Sequence, residues 1–285
     1  MMYEKKYEEL LLSTLAADSY CLGSHWVHDA KELKNLDIDW EALNPPHVAW
    51  HEGKEKGDFT HYGDQILILN DFLKDKNTFN VTDYMTYWKE KMQTFKGYID
   101  GSTKETLSNL DNNLSIPCGS NSGDMSVIGR IVPLLKVSQT RDQFMENTKL
   151  LAQATHNNED VLGAMHFFSK LLLEVLDGEG IQESILKLKV QAPPKIQAYI
   201  DAGYNSKDKE TLEAIAGFGS ACPTEASFPS TMHILFKYNN FKEALIQNAK
   251  AGGDSSARAM VIAYLMTAKD SIEIVPKQWL AFNRP

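Results

Sequence analysis

Four segments of this sequence combine carboxylates or histidines with small residues just before a predicted helix. Asp64 and Asp254 lie in two of these segments, and a carboxylate can hold a water as general base. Loop-to-helix junctions also expose backbone N–H groups and the positive end of a helix dipole, which favours an anionic ligand such as a diphosphate. The four segments are 18–29, 60–65, 119–126 and 252–258.

Each junction also has a purely structural interpretation. Gly252 and Gly253 can end one helix while Asp254 caps the next, and Asp64 or Asp124 can serve as caps elsewhere. A single histidine is usually a hydrogen-bonded structural residue, whereas several near acids would form a proton-transfer group near neutral pH. Residue types alone therefore leave both interpretations open.

The elements that must position these segments are predicted to be almost all helical, because apolar residues recur at three- and four-residue spacing and strand alternation is scarce. The clearest helix is predicted to begin at Asn157 and end before Gly178. Thr140 and Gln143 form a capping-box pattern before another helix, and the less periodic stretch 28–59 is predicted to be a long ordered loop. Further helices are predicted at about 4–22, 64–75, 82–97, 122–137, 181–190, 194–202, 207–217, 224–238, 240–250 and 254–268.

Composition favours one soluble domain over residues 1–285. The chain is 43% hydrophobic, which is enough for one substantial core. Its net charge of −9, without a cluster of Lys and Arg, argues against nucleic acid as a partner. The three cysteines lack the spacing of a zinc site or a disulfide framework, so we expect reduced thiols. No apolar run reaches about 18 residues and no secretory leader is evident, so we expect no membrane partner and a cytoplasmic location.

Taken in order, these segments resemble the ADP-ribosylglycohydrolase family along nearly the whole chain. The family has an Ala-Ala-Gly-Asp-type helix, Thr-Asp-Asp-Thr-Gln, Gly-Asn-Gly…Met…Pro-Leu, a Thr-His step and Gly-Gly-Asp-Thr-Asp-Thr. The matching segments here are Ala16-Ala17-Asp18, HYGDQ at 61–65, SNSGDMSVIGRIVPLL at 120–135, Thr155-His156-Asn157 and GGDSSAR at 252–258. The resemblance implies an all-α, single-domain orthogonal multi-helix bundle that takes a small nucleotide-sugar or ADP-ribosylated ligand.

The departures from the family pattern concern its metal ligands. In the family, Thr-Asp-Asp and Asp-x-Asp-Thr hold two magnesium ions through clustered oxygens. Here His-Tyr-Gly at 61–63 replaces the first set and Ser-Ala at 256–257 replaces two members of the second, so that Asp254 alone is retained. We therefore expect no magnesium pair and no other cofactor. The same replacements, with His25-Trp26, are similar to the branch that includes the jellyfish J-type crystallins.

The resemblance implies that the matched segments face one cleft. Asp64 and Asp254 are expected to be acid/base or water-positioning residues, with His61 beside them. Ligand-binding positions are expected at His25, Trp26, Tyr62, Gln65, Asn121, Ser122, Asp124, His156, Gly252, Gly253 and Arg258. Three functions stay open: hydrolysis of an N- or O-glycosidic bond, a catalytically silent crystallin-like binding or structural role, and metal-free chemistry on a nucleoside-like substrate through His61 or His156.

Overall fold

The computed structural model describes residues 3–283, which form thirteen α-helices and no strand. The predicted all-α bundle is confirmed. The helices are α1 Glu4–Cys21, α2 Ala30–Asn35, α3 His61–Phe72, α4 Val81–Gln93, α5 Gly101–Asp111, α6 Arg141–Thr155, α7 Glu159–Leu176, α8 Ile181–Lys189, α9 Pro194–Ser206, α10 Thr211–Phe218, α11 Thr224–Lys237, α12 Phe241–Lys250 and α13 Ser255–Lys269. Within the described range, no helix is both long and apolar enough to cross a bilayer.

The centre of the molecule is α13, which is buried on every side from its first residue to Ala268. It packs against α1, α7, α11 and α12. A helix buried all round is apolar all round, so the few polar groups at its start, Asp254 to Ser256, are conspicuous. One stripe of α7 faces the core, where Val161, Met165, Phe168, Leu172 and Val175 are all buried.

Two predictions about the elements were wrong. The helix predicted at 122–137 is instead a pair of 3₁₀ segments, Met125–Arg130 and Val132–Val137. Pro133 stands at the start of the second segment, where it can donate no backbone hydrogen bond and disfavours helical geometry in the residue before it. The helix α5 was not predicted because its sequence is mostly polar, yet Asp100 caps it by accepting a hydrogen bond from Thr103 N at 2.6 Å.

The caps decide where the site residues fall along their helices. Thr60 caps α3 by accepting from Tyr62 N, so this helix begins three residues earlier than predicted and Asp64 lies within its first turn. Asn158, rather than Asn157, caps α7. The predicted cap at Thr140 is confirmed, since its hydroxyl accepts from the backbone N–H of Gln143 at 3.2 Å.

The loop 28–59 is ordered, as predicted, although it contains α2 and the 3₁₀ turn Ala49–His51. Its far end is fastened to the last described residue, Asn283. The backbone N–H of Asn283 donates to Gly57 O at 2.7 Å, and its side-chain amide donates to Asp58 Oδ1 at 2.7 Å. This loop brings Trp50 and His51 to the functional site.

Candidate functional site

The loop before α2 and the loop before α13 are joined by two backbone hydrogen bonds, here called the backbone bridge. Trp26 N donates to Gly253 O at 2.7 Å, and Gly253 N donates to Val27 O at 2.8 Å. Trp26, Gly252 and Gly253 all have positive φ, at 63°, 66° and 60°. A Cβ on Gly253 would lie 2.0 Å from Ser220 O, so only glycine fits there. The bridge places His25 beside Asp254.

Asp18 on α1 connects the start of α3 to the start of α13 through hydrogen bonds. Its carboxylate accepts from Thr60 N at 2.9 Å, from Thr60 Oγ1 at 2.6 Å and from the hydroxyl of Ser256. A Cβ on Gly63 would lie 2.3 Å from Asp18 Oδ2, which explains the glycine. Burial raises the pKa of Asp18 to about 6, although these hydrogen bonds oppose the shift. Asp18 thus fixes two helix starts that carry site residues.

Asp254 and Asp124, here called the acid pair, form the electrostatic centre of the site. Asp254 is fully buried at the N-cap position of α13, but its carboxyl group makes no cap hydrogen bond and neither oxygen has a hydrogen-bond partner. Burial raises its pKa to about 8, and Asp124 is the next largest cause. Asp124 is held in place where Met125 N donates to Cys222 O at 3.2 Å. A simple capping role for Asp254 is therefore not what the geometry supports.

The hydrogen bonds of the acid pair indicate which member keeps a proton. Asp124 accepts from Ser126 N at 2.8 Å and from the hydroxyl of Tyr62 at 3.4 Å, and both contacts stabilise its charged form. Asp254 accepts no hydrogen bond of ordinary geometry, although its contacts with the hydroxyl of Tyr62 and the backbone N–H of Ala257 oppose the rise in its pKa. Burial and the charge of Asp100 raise the pKa of Asp124 as well. We infer that the two buried carboxyl groups hold one proton between them. We assign that proton to Asp254 and the negative charge to Asp124.

Three imidazoles form a cluster beside Asp254. The ring of His25 lies 5.2 Å from that of His51 and 6.3 Å from that of His61, measured between centroids. His25 Nδ1 lies 3.7 Å from Asp254 Oδ1 and accepts from Ser256 N at 3.4 Å. Burial lowers the pKa of His25 well below its usual range and that of His51 to about 3. Both rings are therefore neutral at physiological pH.

His61 links this cluster to a second acid. Its Nε2 lies 3.2 Å from Asp100 Oδ2. Burial alone would raise the pKa of Asp100, but the contact with His61 and the cap hydrogen bond from Thr103 bring it below its ordinary value. Asp100 is therefore ionised, whereas burial and Arg130 lower the pKa of nearby His156 to about 3 and keep it neutral.

Trp26, Trp50 and Tyr98, here called the aromatic rim, lie over the cluster. Trp26 meets Tyr98 edge-on at 5.2 Å and Trp50 at 6.5 Å, and Trp50 meets Tyr98 at 5.4 Å. Trp26 also stacks on His25 at 4.8 Å. Trp50 is 55% exposed, so the rim faces solvent on one side and the imidazoles on the other. Such a surface suits a planar base or the apolar face of a sugar.

The structure does not bring every predicted site residue to this centre. Asp64 Oδ2 pairs with Lys54 Nζ at 2.7 Å and lines an open groove of about 730 Å³ with Phe95 and Lys96. Gln65 faces α4, where it accepts from Trp88 Nε1 at 2.6 Å. Asp64 and Gln65 therefore lie in different surroundings from Asp254.

The remaining predicted positions have contacts of three kinds. Arg258 is buried and braces the glycine turn, donating to Gly252 O and to Asn248 Oδ1 at 2.7 Å each. Ser122 Oγ accepts from Asp124 N at 3.2 Å. Asn121 is exposed beside Asn158.

A family model for ADP-ribosylglycohydrolase matches residues 2–282 of the chain. The chain belongs to the ADP-ribosylglycohydrolase family. Among curated proteins it is similar to Crystallin J1A of Tripedalia cystophora, 19% identical over 95% of this chain and 89% of the crystallin. It is also similar to Crystallin J1B of the same jellyfish, 20% identical over the same shares. A solved ADP-ribosylglycohydrolase-related protein complex has the same fold, with a TM-score of 0.78 at 15% identity, covering 98% of this chain and 92% of that one.

The magnesium pair of the ADP-ribosylglycohydrolase family does not fit the residues found here. The hydroxyl of Ser256 is used by Asp18, and Tyr62 places a buried ring where the family has an aspartate. Among residues 3–283, no group of three or more His, Cys, Asp or Glu side chains is arranged to hold a metal ion. No step proposed below depends on a metal. The predicted absence of the pair remains for magnesium titration to test.

Several residues of this ADP-ribosylglycohydrolase site were not predicted from sequence. Asp18 belonged to a matched motif, which was the available signal, but it was not assigned to the site. Trp50 and His51 lie in the aperiodic loop, and Tyr98 and Asp100 precede the helix that was not predicted. Nothing in their spacing indicates that they meet His25 and His61.

The raised pKa of Asp254 predicts that its own contribution to stability falls between pH 6.5 and 8. The folded chain keeps a proton that the unfolded chain has lost, so the free energy of unfolding decreases as pH rises toward about 8. The slope for one proton is about 1.4 kcal/mol per pH unit. His25, His51 and His156, whose pKa values are lowered on folding, add a slope of opposite sign near pH 6.5, because their imidazoles still bind protons there in the unfolded chain. Urea unfolding at four pH values should show that the free energy of unfolding of wild type, relative to that of Asp254→Asn, decreases as pH rises; equal slopes would contradict the assignment.

Proposed function

We propose that this protein binds an ADP-ribosyl or related nucleotide-sugar ligand at the acid pair and cleaves its N- or O-glycosidic bond without a magnesium pair. The observation that carries the proposal is Asp254, a fully buried carboxyl group without a hydrogen-bond partner at a helix start that it does not cap. Such a group destabilises the fold, so its presence in a cluster of imidazoles favours a chemical role. The ligand class comes from family membership.

The acid pair supplies the two roles that glycoside cleavage needs. Protonated Asp254 donates its proton to the leaving oxygen or nitrogen as the bond to the anomeric carbon breaks. Ionised Asp124 stabilises the sugar cation and accepts a proton from the attacking water, whose oxygen forms the new bond to that carbon. Two carboxyl groups kept in opposite protonation states are the usual arrangement for this reaction.

The neighbouring groups would position the ligand. The aromatic rim would stack on the base or ribose, and the neutral imidazole of His25 would orient Asp254 from 3.7 Å. Since Asp64 is paired with Lys54 outside the cluster, we give it no part in the reaction.

A second candidate function is a catalytically silent, crystallin-like role. It is favoured by the closed packing of the site, where Tyr62 is fully buried and Trp26 stacks on His25, so the rim has to open before a ligand can reach Asp254. The J1 crystallins named above are consistent with this alternative.

One set of measurements separates the two candidates. ADP-ribose binding is followed by calorimetry, and ribosyl release is followed with ADP-ribosylated arginine and serine peptides in EDTA and in magnesium. We expect binding, and release that is equal in both conditions. Release that requires magnesium would contradict the metal-free mechanism. The absence of release in both conditions would favour the silent role, as a binding protein if ADP-ribose still binds and as a structural one if it does not. Asp208→Asn, which alters an exposed carboxylate, serves as the matched control.

A further inference from the structure

Arg130 is buried without a counter-charge. Its side chain is 1% exposed, and none of its three guanidinium nitrogens has a hydrogen-bond partner. No carboxylate among the described residues forms an ion pair with it. The residue ends the 3₁₀ segment Met125–Arg130, which packs against α3, α7 and α13. A guanidinium removed from water in this way is strongly unfavourable unless an anion or an acceptor compensates it.

Two more buried polar atoms near Arg130 also lack partners. They are the hydroxyl of Tyr84 on α4, which is fully buried, and Nε2 of His156, in a residue that is 1% exposed. Burial has the largest effect on the pKa of each group, and the charge of Arg130 has the next largest, lowering both pKa values. Arg130 therefore lies within electrostatic reach of both groups. Arginine offers five N–H donors, and a phenol with one imidazole nitrogen cannot neutralise its charge.

We propose that Arg130 holds a small monovalent anion of the halide class in the protein interior, with the hydroxyl of Tyr84 as a further donor. A compact ion is indicated because the donor atoms are enclosed by protein and present no surface for a larger oxyanion. A halide accepts hydrogen bonds from several directions and supplies the charge that the guanidinium lacks. This site is separate from the acid pair and does not depend on the proposed function.

The first test is crystallographic and uses the unaltered chain. Crystals grown or soaked in sodium bromide are measured at the bromine absorption edge. We expect an anomalous peak about 3.3 Å from the guanidinium of Arg130, a hydrogen-bond distance lengthened for a larger anion. Ordered water alone at this position would overturn the proposal.

The second test measures the melting temperature in solution. Sodium chloride is raised from 1 to 100 mM while sodium gluconate keeps the ionic strength constant. An anion that binds only the folded chain raises the Tm, here by about 3 °C. Arg130→Met should abolish this rise, and Tyr84→Phe should reduce it and serves if the first variant does not fold. Arg141→Met, at a partly exposed arginine, is the matched control and should keep the full rise. A rise that is unchanged in Arg130→Met or Tyr84→Phe would overturn the proposal.

Discussion

Ribosyl release by Asp254→Asn is expected to be about 10²- to 10⁴-fold slower than by wild type, because an amide cannot protonate the leaving group. Asparagine has nearly the size of the neutral carboxylic acid that we assign to this position, so the fold and the affinity for ADP-ribose should be retained. The measurement is the single-turnover rate of release in EDTA, with ADP-ribose affinity determined in parallel.

The control for this variant is Asp64→Asn. Asp64 is paired with Lys54 and faces the open groove, so its replacement should change release by less than about threefold. If Asp64→Asn were the slower variant, the assignment of the acid pair would be wrong. In that case the groove beside Lys54 would be the better candidate for the active site.

Asp18→Ala is expected to destabilise the fold by about 3 to 5 kcal/mol and to lower the Tm by about 10 °C. The substitution leaves three buried donors without an acceptor: Thr60 N, Thr60 Oγ1 and the hydroxyl of Ser256. It also creates a cavity where α1, α3 and α13 meet. Thermal and urea unfolding measure the effect.

Asp29→Ala is the matched control for Asp18. Asp29 also accepts a backbone hydrogen bond, from Lys31 N at 2.7 Å, but it caps a short helix at the surface. Its loss should cost about 1 kcal/mol or less. If both substitutions lowered the free energy of unfolding equally, the buried hydrogen bonds of Asp18 would contribute no more to stability than the exposed cap at Asp29.

The helical class and the order of the motifs could be predicted from sequence, because apolar spacing on α7 and small residues at helix starts leave local patterns. The carboxylate that influences Asp254 could not be predicted from sequence. The helix α3 begins three residues earlier than predicted, and Asp64 in its first turn pairs with Lys54. Asp124 is the acid within electrostatic range of Asp254 instead.

The assembly of the aromatic rim could not be predicted from sequence either. Trp50 and His51 come from a loop with no periodicity, and Tyr98 comes from the turn before α5. These residues meet only because backbone bridges between distant segments fix the loops in space, and such bridges depend on main-chain atoms that every residue type has. Gly253 is the exception, since two adjacent glycines before an acid do signal a close backbone approach.

Residues 28–59, here called the wall, form one side of the site, and their far end is attached to Asn283 through Gly57 and Asp58. We expect the wall to open as a cooperative unit of its own. The segment that carries Trp50 is tied down at this end by a few hydrogen bonds, whereas α13 is enclosed by four other helices. We therefore expect local opening of that wall to require less free energy than global unfolding. Amide protons on the wall should exchange with solvent much sooner than those of α13, and the opened state would be the one that admits a molecule to Asp254.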